Sequence, residues 1–170
     1  MKSLESIRNY VALTPAVATA GQPRREQFPL IAEAGFDCVI NLALPDHPDS
    51  LADEGALVAA LGMTYCHLPV PFDAPAPIHV QRFCALLEAQ RDQRLFVHCI
   101  MNYRVSAFMY LYLKYVEGCA DGDARSPIFD HWQVEPQWQA LLRMDQATLG
   151  IKPRRDGAPR ASGAARHESR

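Results

Sequence analysis

One stretch limits what this chain can become. It is Leu95 to Ser106, reading LFVHCIMNYRVS, with the apolar run Ala107 to Val116 behind it. Leu95 to Val97 is a short apolar block after the polar Arg91–Arg94 segment, which predicts a buried strand. From Val105 onward, Phe108, Met109, Tyr110, Leu111, Tyr112, Leu113 and Tyr115 fill every face of a helical wheel. No Gly or Pro interrupts them, so a central helix covered on most sides is expected. Between strand and helix, His98, Cys99 and a few residues must turn the chain. A loop closing onto a helix N-terminus offers unpaired backbone N–H groups and the positive end of the helix dipole. That suits an anion, and it favours the thiolate of a Cys placed there. Arg104 adds a planar fork of donors matched to phosphate. A buried, inert thiol is the plain alternative for Cys99, and the one that Cys38, Cys66, Cys84 and Cys119 fit. His98, the loop and Arg104 separate Cys99 from those four.

The rest of the chain alternates strand and helix signals. Tyr10 to Ala20 reads as a strand, and Pro15 within it suits an edge. Gly21-Gln22-Pro23 is a turn. Arg24 to Ala34 is a helix with Phe28, Leu30 and Ile31 inward and Gly35 as its stop. Cys38–Leu42 is a short buried strand. A Pro-flanked loop, 45–49, leads to a helix from Ser50 to Leu61 with Glu54 near its first turn, and Met63 to Leu68 is a further strand. Pro69 to Pro77 is Pro-rich and carries one carboxylate, Asp73. Ile78 to Gln90 is an amphipathic helix with Val80, Phe83, Leu86 and Leu87 on one side. After the central helix come a polar loop (118–125), a helix over Ser126 to Trp132 and another over Glu135 to Leu149, ended by Gly150. This order predicts an α/β fold, a mostly parallel sheet flanked by helices. Residues 1–150 form the predicted domain, and 151–170, rich in Arg, Gly and Ala, a flexible basic tail.

Val97-His98-Cys99, then Arg104 and Ser106 at a helix start, resemble the phosphate-binding loop of cysteine-dependent protein tyrosine phosphatases. The compact dual-specificity branch and its bacterial relatives are the nearest pattern. Gly21-Gln22-Pro23, Gly35-Phe36-Asp37, Val39–Leu42 and Gly62–Tyr65 with Leu68-Pro69-Val70 are similar to the N-terminal half of the bacterial branch. The likeness runs roughly from residue 10 to 117. The loop departs from the family pattern, which has five residues between Cys and Arg and usually Gly third after the Cys. Here four residues, Ile100, Met101, Asn102 and Tyr103, separate Cys99 from Arg104. Asn102 stands at the Gly position, where its tolerance of left-handed backbone makes it a mild replacement. Val105 stands at the Arg position, and Ser106 keeps its place. One residue along a helix turns a side chain by about 100°, so Arg104 reaches an anion only if the loop is reshaped.

The resemblance implies a metal-free, cofactor-free phosphoric monoester hydrolase of the tyrosine or dual-specificity type, acting through a cysteinyl-phosphate. It implies Cys99 as nucleophile, Arg104 as phosphate clamp, Asp73 as general acid and Ser106 as hydrogen-bond donor to the thiolate. Around the phosphate it places His98, Ile100, Met101, Asn102, Tyr103 and Val105, with His98 orienting the loop. Asp46 and Asp49 are secondary acid candidates, although turn formation accounts for them. A phosphorylated protein or small phosphate ester is the implied partner. Two other readings stand beside it: a pseudophosphatase whose shortened loop binds phosphate without turnover, and rhodanese-like or arsenate-reducing chemistry at Cys99. No second Cys lies between 99 and 106 to resolve a redox intermediate.

Composition narrows the classes further. With 170 residues and a formal net charge of −2, neither nucleic acid nor a membrane surface is an expected partner. No apolar stretch reaches the roughly 18 residues that a membrane span needs, and Met1–Arg8 lacks the apolar core of a secretory signal. Five Cys without CxxC spacing suit reduced thiols in the cytoplasm. Zinc is unexpected: Cys66-His67 and His98-Cys99 are adjacent pairs on strands, and neighbours on a strand point to opposite faces.

Overall fold

The computed structural model describes residues 3–155. Five strands form one sheet: β1 (Val11–Thr14), β2 (Val17–Ala20), β3 (Cys38–Asn41), β4 (Thr64–His67) and β5 (Leu95–His98), in the order β1-β2-β5-β3-β4. Only β1 and β2 are antiparallel; β2–β5, β5–β3 and β3–β4 are parallel. The expected mostly parallel α/β sheet is therefore present. The single strand expected over Tyr10 to Ala20 is instead a hairpin, because Pro15 sits in its turn rather than in a ladder. Of these two, β1 lies at the edge of the sheet; β2 is internal and wholly buried.

Period-two alternation in the parallel strands sorts the core into two layers. Val17, Cys38, Ile40, Leu95 and Val97 face a large cluster built from α3 (Pro77–Ala89), α4 (Tyr103–Tyr115), α6 (Pro136–Leu142) and α7 (Gln146–Leu149). Ala18, Ala20, Val39 and Phe96 face a smaller cluster with α1 (Phe28–Glu33) and α2 (Glu54–Ala60). The helix expected after Ser50 thus starts four residues later. As its all-round apolar sequence requires, α4 is buried from Arg104 through Met109 and again over Leu111 to Leu113. The polar loop after it holds one short helix, α5 (Asp121–Ala124), and the helix expected after Ser126 is a single 3-10 turn, Pro127–Asp130. The helix expected over Glu135 to Leu149 breaks at Met144. There Asp145 starts α7 anew by accepting the Thr148 N–H at 2.7 Å.

Ile151 is buried, and Arg154 reaches Glu88, Glu117 and the Tyr112 hydroxyl at 2.7, 2.7 and 2.9 Å. Residues 151–155 therefore pack on the domain rather than beginning a free tail, while the remainder of the tail lies outside the described residues. Among the described residues, no helix is long and apolar enough to cross a membrane.

Candidate active site

The loop between β5 and α4 is held by the N-terminal segment as much as by its own ends. Asn102 takes the left-handed conformation that its position demands (φ 67°). Its Nδ2 donates to the Asn9 carbonyl at 2.8 Å and to Thr19 Oγ1 at 3.0 Å. Asn9 returns a hydrogen bond to the Met101 carbonyl at 2.9 Å, and the Gln22 N–H donates to the Ile100 carbonyl at 3.0 Å. Gly21 bridges to Met101, and a Cβ built there would stand 2.5 Å from the Ile100 carbonyl oxygen. Since that neighbour is backbone, the loop itself has to yield. Gly21→Ala is expected to destabilise the fold by about 1–3 kcal/mol and to weaken phosphate binding with it. Denaturant titration and phosphate-induced thermal shift check both effects. An unchanged shift would show that the loop is not braced from Gly21.

Cys99 follows the last residue of β5 and is 1% exposed. With Arg104, Ile100, Met101, Tyr103, Phe72, His47 and Glu135 it lines a cavity of about 370 Å³. That is within the size range of small-molecule sites. The shift of Arg from the pattern position is absorbed locally. Arg104 is the second residue of α4, 6% exposed, with Nη1 donating to the Val70 carbonyl at 2.8 Å and the guanidinium 5.7 Å from the Phe72 ring centroid. Its buried Nε has no hydrogen-bond partner. Val105, at the family's Arg position, is fully buried in the apolar core instead. The first-turn N–H groups of α4 have no intrahelical acceptors and add to the positive potential at this end.

Behind the loop lies a buried polar chain that the sequence did not announce. His98 is fully buried, with Nε2 2.6 Å from Glu54 Oε1 and Nδ1 3.2 Å from the Cys99 carbonyl oxygen. Both partners are acceptors, so both hydrogen bonds form together only when each ring nitrogen carries a proton. Glu54 Oε2 accepts from Gln22 Nε2 at 2.8 Å. Burial pushes the Glu54 carboxyl up, but the His98 charge and the hydrogen bonds from His98 and Gln22 outweigh it and hold it below its ordinary value. His98 thus touches the loop at the Cys99 carbonyl, and Glu54 holds its other ring nitrogen. Glu54 starts α2 far from His98 in sequence, where a first-turn acid looks like an ordinary dipole partner. No local pattern could have singled it out.

The remaining predicted residues fall as follows. Ile100, Met101 and Tyr103 line the cavity; the side chains of His98, Asn102, Val105 and Ser106 do not. Ser106 Oγ is engaged with Asn102 Oδ1 (3.3 Å) and Ser126 Oγ (3.4 Å) rather than with Cys99. Asp73 is exposed and outside the cavity lining, one residue beyond Phe72. Asp49 pairs with Arg8 at 2.8 Å on the surface. Cys66-His67 and His98-Cys99 are not on neighbouring strands, because β3 lies between β4 and β5. Among the described residues, no three His, Cys, Asp or Glu converge as a metal site would require. A larger cavity of about 430 Å³ between Tyr110, Phe129, Arg125 and Arg143 has no Cys, Ser or Thr in its lining.

A family described as DSP-PTPase phosphatase fused to NAD+ kinase matches residues 7–143. A crystal structure of a DUF442 protein from Shewanella putrefaciens CN-32 is 34% identical, with 87% of this chain and 97% of that one covered and a TM-score of 0.76. TpbA of P. aeruginosa in complex with pTyr (18% identity, 83% and 87% covered, TM-score 0.64) shares the fold. So does PTPMT1 in complex with PI(5)P (16% identity, 79% and 92% covered, TM-score 0.65). No curated protein matches the sequence. A cysteine and an arginine facing one cavity at the strand-to-helix turn, in a chain matched over most of its length, lead to one assignment: the protein belongs to the DSP-PTPase family of phosphatases, within the tyrosine and dual-specificity superfamily.

Proposed function

We propose that the chain hydrolyses phosphoric monoesters through a cysteinyl-phosphate. The observation that carries this reading is the buried Arg104 with a guanidinium nitrogen left without a partner, in the cavity that also holds Cys99. A buried polar group without a partner costs about 1–3 kcal/mol, which a phosphoryl oxygen bound there would recover. In the reaction, the Cys99 thiolate attacks phosphorus while Arg104 and the loop N–H groups hold the equatorial oxygens, where negative charge is spread. Water then releases phosphate from sulfur. No step calls on a metal or cofactor. Asp73 follows Phe72 on the Pro-rich segment; as the acid the resemblance implies, it would act only after that segment swings inward.

The substrate is proposed as a phosphorylated protein or a small phosphate ester. The likeness to TpbA bound to pTyr and to PTPMT1 bound to PI(5)P supports an ester of either kind. The test is turnover of an aryl phosphate by the wild-type protein with a chelator present, together with vanadate inhibition and acid-quench trapping of phosphorylated Cys99. Turnover with a trapped phosphocysteine is the expected result. No turnover, with phosphate still raising the melting temperature, would replace the hydrolase by a phosphate-binding pseudophosphatase. Neither turnover nor stabilisation would remove both readings.

A further inference from the structure

We infer that Glu135 donates the proton to the leaving group, an assignment that rests on the hydrolase reading above. An alkoxide or phenoxide leaves slowly unless it is protonated, so the cavity needs an acid facing the ester oxygen. Among the residues that line it, Glu135 is the sole carboxylate.

Its position is built rather than incidental. Glu135 Oε2 accepts the indole N–H of Trp132 at 3.0 Å, and Oε1 makes no hydrogen bond to a described residue. Trp132 is 5% exposed; it stacks on Tyr103, itself a lining residue, at 4.9 Å and 7°, and meets Trp138 at 6.0 Å. Glu135 is also the N-cap residue of α6, so its backbone is tied to a packed helix. One oxygen is therefore held and the other is available. Among the described residues, Glu135 forms no salt bridge that would commit it to the anion. His47 shares the cavity but belongs to an exposed loop, with Nδ1 accepting the Asp49 N–H at 3.1 Å.

The steps balance. Cys99 sulfur bonds to phosphorus as the P–O ester bond breaks, and the Glu135 proton passes to the departing oxygen. Water then attacks phosphorus and gives its proton to the Glu135 carboxylate. The S–P bond breaks, and phosphate leaves the restored thiolate.

The experiment compares 4-nitrophenyl phosphate, whose leaving group needs little protonation, with phenyl phosphate, whose leaving group needs much. Glu135→Gln is expected to lose about 10²-fold or more in kcat on phenyl phosphate and only a few-fold on the nitro ester. It is also expected to lose the alkaline limb of its kcat pH profile. Trp132→Phe, which removes the N–H on Oε2 together with one ring of the stack on Tyr103, is expected to give a smaller loss with the same leaving-group dependence. Asp73→Asn and His47→Gln keep the wild-type ratio between the two esters. Equal losses on both esters in Glu135→Gln would reduce Glu135 to a structural role, and a leaving-group-dependent loss in Asp73→Asn or His47→Gln would move the acid there. A wild-type protein inactive on both esters would instead overturn the hydrolase reading itself.

Discussion

Cys99→Ser is expected to lower kcat on an aryl phosphate by roughly 10⁴-fold or more, with phosphate binding retained. A serine hydroxyl is not ionised near neutral pH, so it needs a neighbouring base to become a nucleophile. The His98 imidazole, next in sequence, cannot act as one, since Nε2 faces Glu54 and Nδ1 faces the Cys99 carbonyl. The proposed anion site does not depend on sulfur, because the features proposed to form it are Arg104, anchored to the Val70 carbonyl, and the N-terminal turn of α4. The loop should also survive the change, as it is braced by Asn9, Thr19 and Gln22 through Asn102 and the Ile100 and Met101 carbonyls. Steady-state kinetics and phosphate-dependent melting check the two halves. Residual activity above about one hundredth of wild type would mean that another nucleophile carries the reaction.

The uneven legibility of this site has a physical cause. Short-range patterning showed the strand, the turn and the all-buried helix around Cys99, because apolar periodicity and a loop at a helix N-terminus are local signals. Residue tolerance was local too: Asn102 adopts the left-handed backbone expected of it. Register was less certain, because the family spacing pointed to position 105 and the structure seats Arg104 instead, with Val105 in the core. The partners brought in by the topology were invisible. Glu54 reaches His98 only because β3 and β5 are adjacent and α2 packs beside them, and Glu135 reaches the cavity only because α6 packs on α4. Splitting the 10–20 segment into a hairpin likewise depended on reading Pro15 as a turn residue rather than an edge-strand marker.

Glu54→Ala should cost about 3–5 kcal/mol of folding stability, the usual result of removing one member of a buried ion pair. Glu54 and His98 side chains are 1% and 0% exposed, so the pair is shut off from bulk water, and the His98 and Gln22 donors lose their acceptor together. Against a typical total of about 5–15 kcal/mol, this change takes much of the margin. Glu54→Gln keeps the shape and one acceptor oxygen, but sets its amide against either His98 or Gln22, so a smaller loss is expected. The pair also gives a pH signature. Because the folded state holds the Glu54 carboxyl below its unfolded value near 4.5, the stability it contributes is fully present above that value. It is lost as pH falls through the lower folded value. Denaturant titrations from about pH 5 to pH 3 should therefore show the gap between wild type and Glu54→Gln narrowing as the carboxyl takes up its proton. A gap that stays the same down to pH 3 would show that the contact acts by shape rather than by charge, and His98 would then be positioned by hydrogen bonding alone.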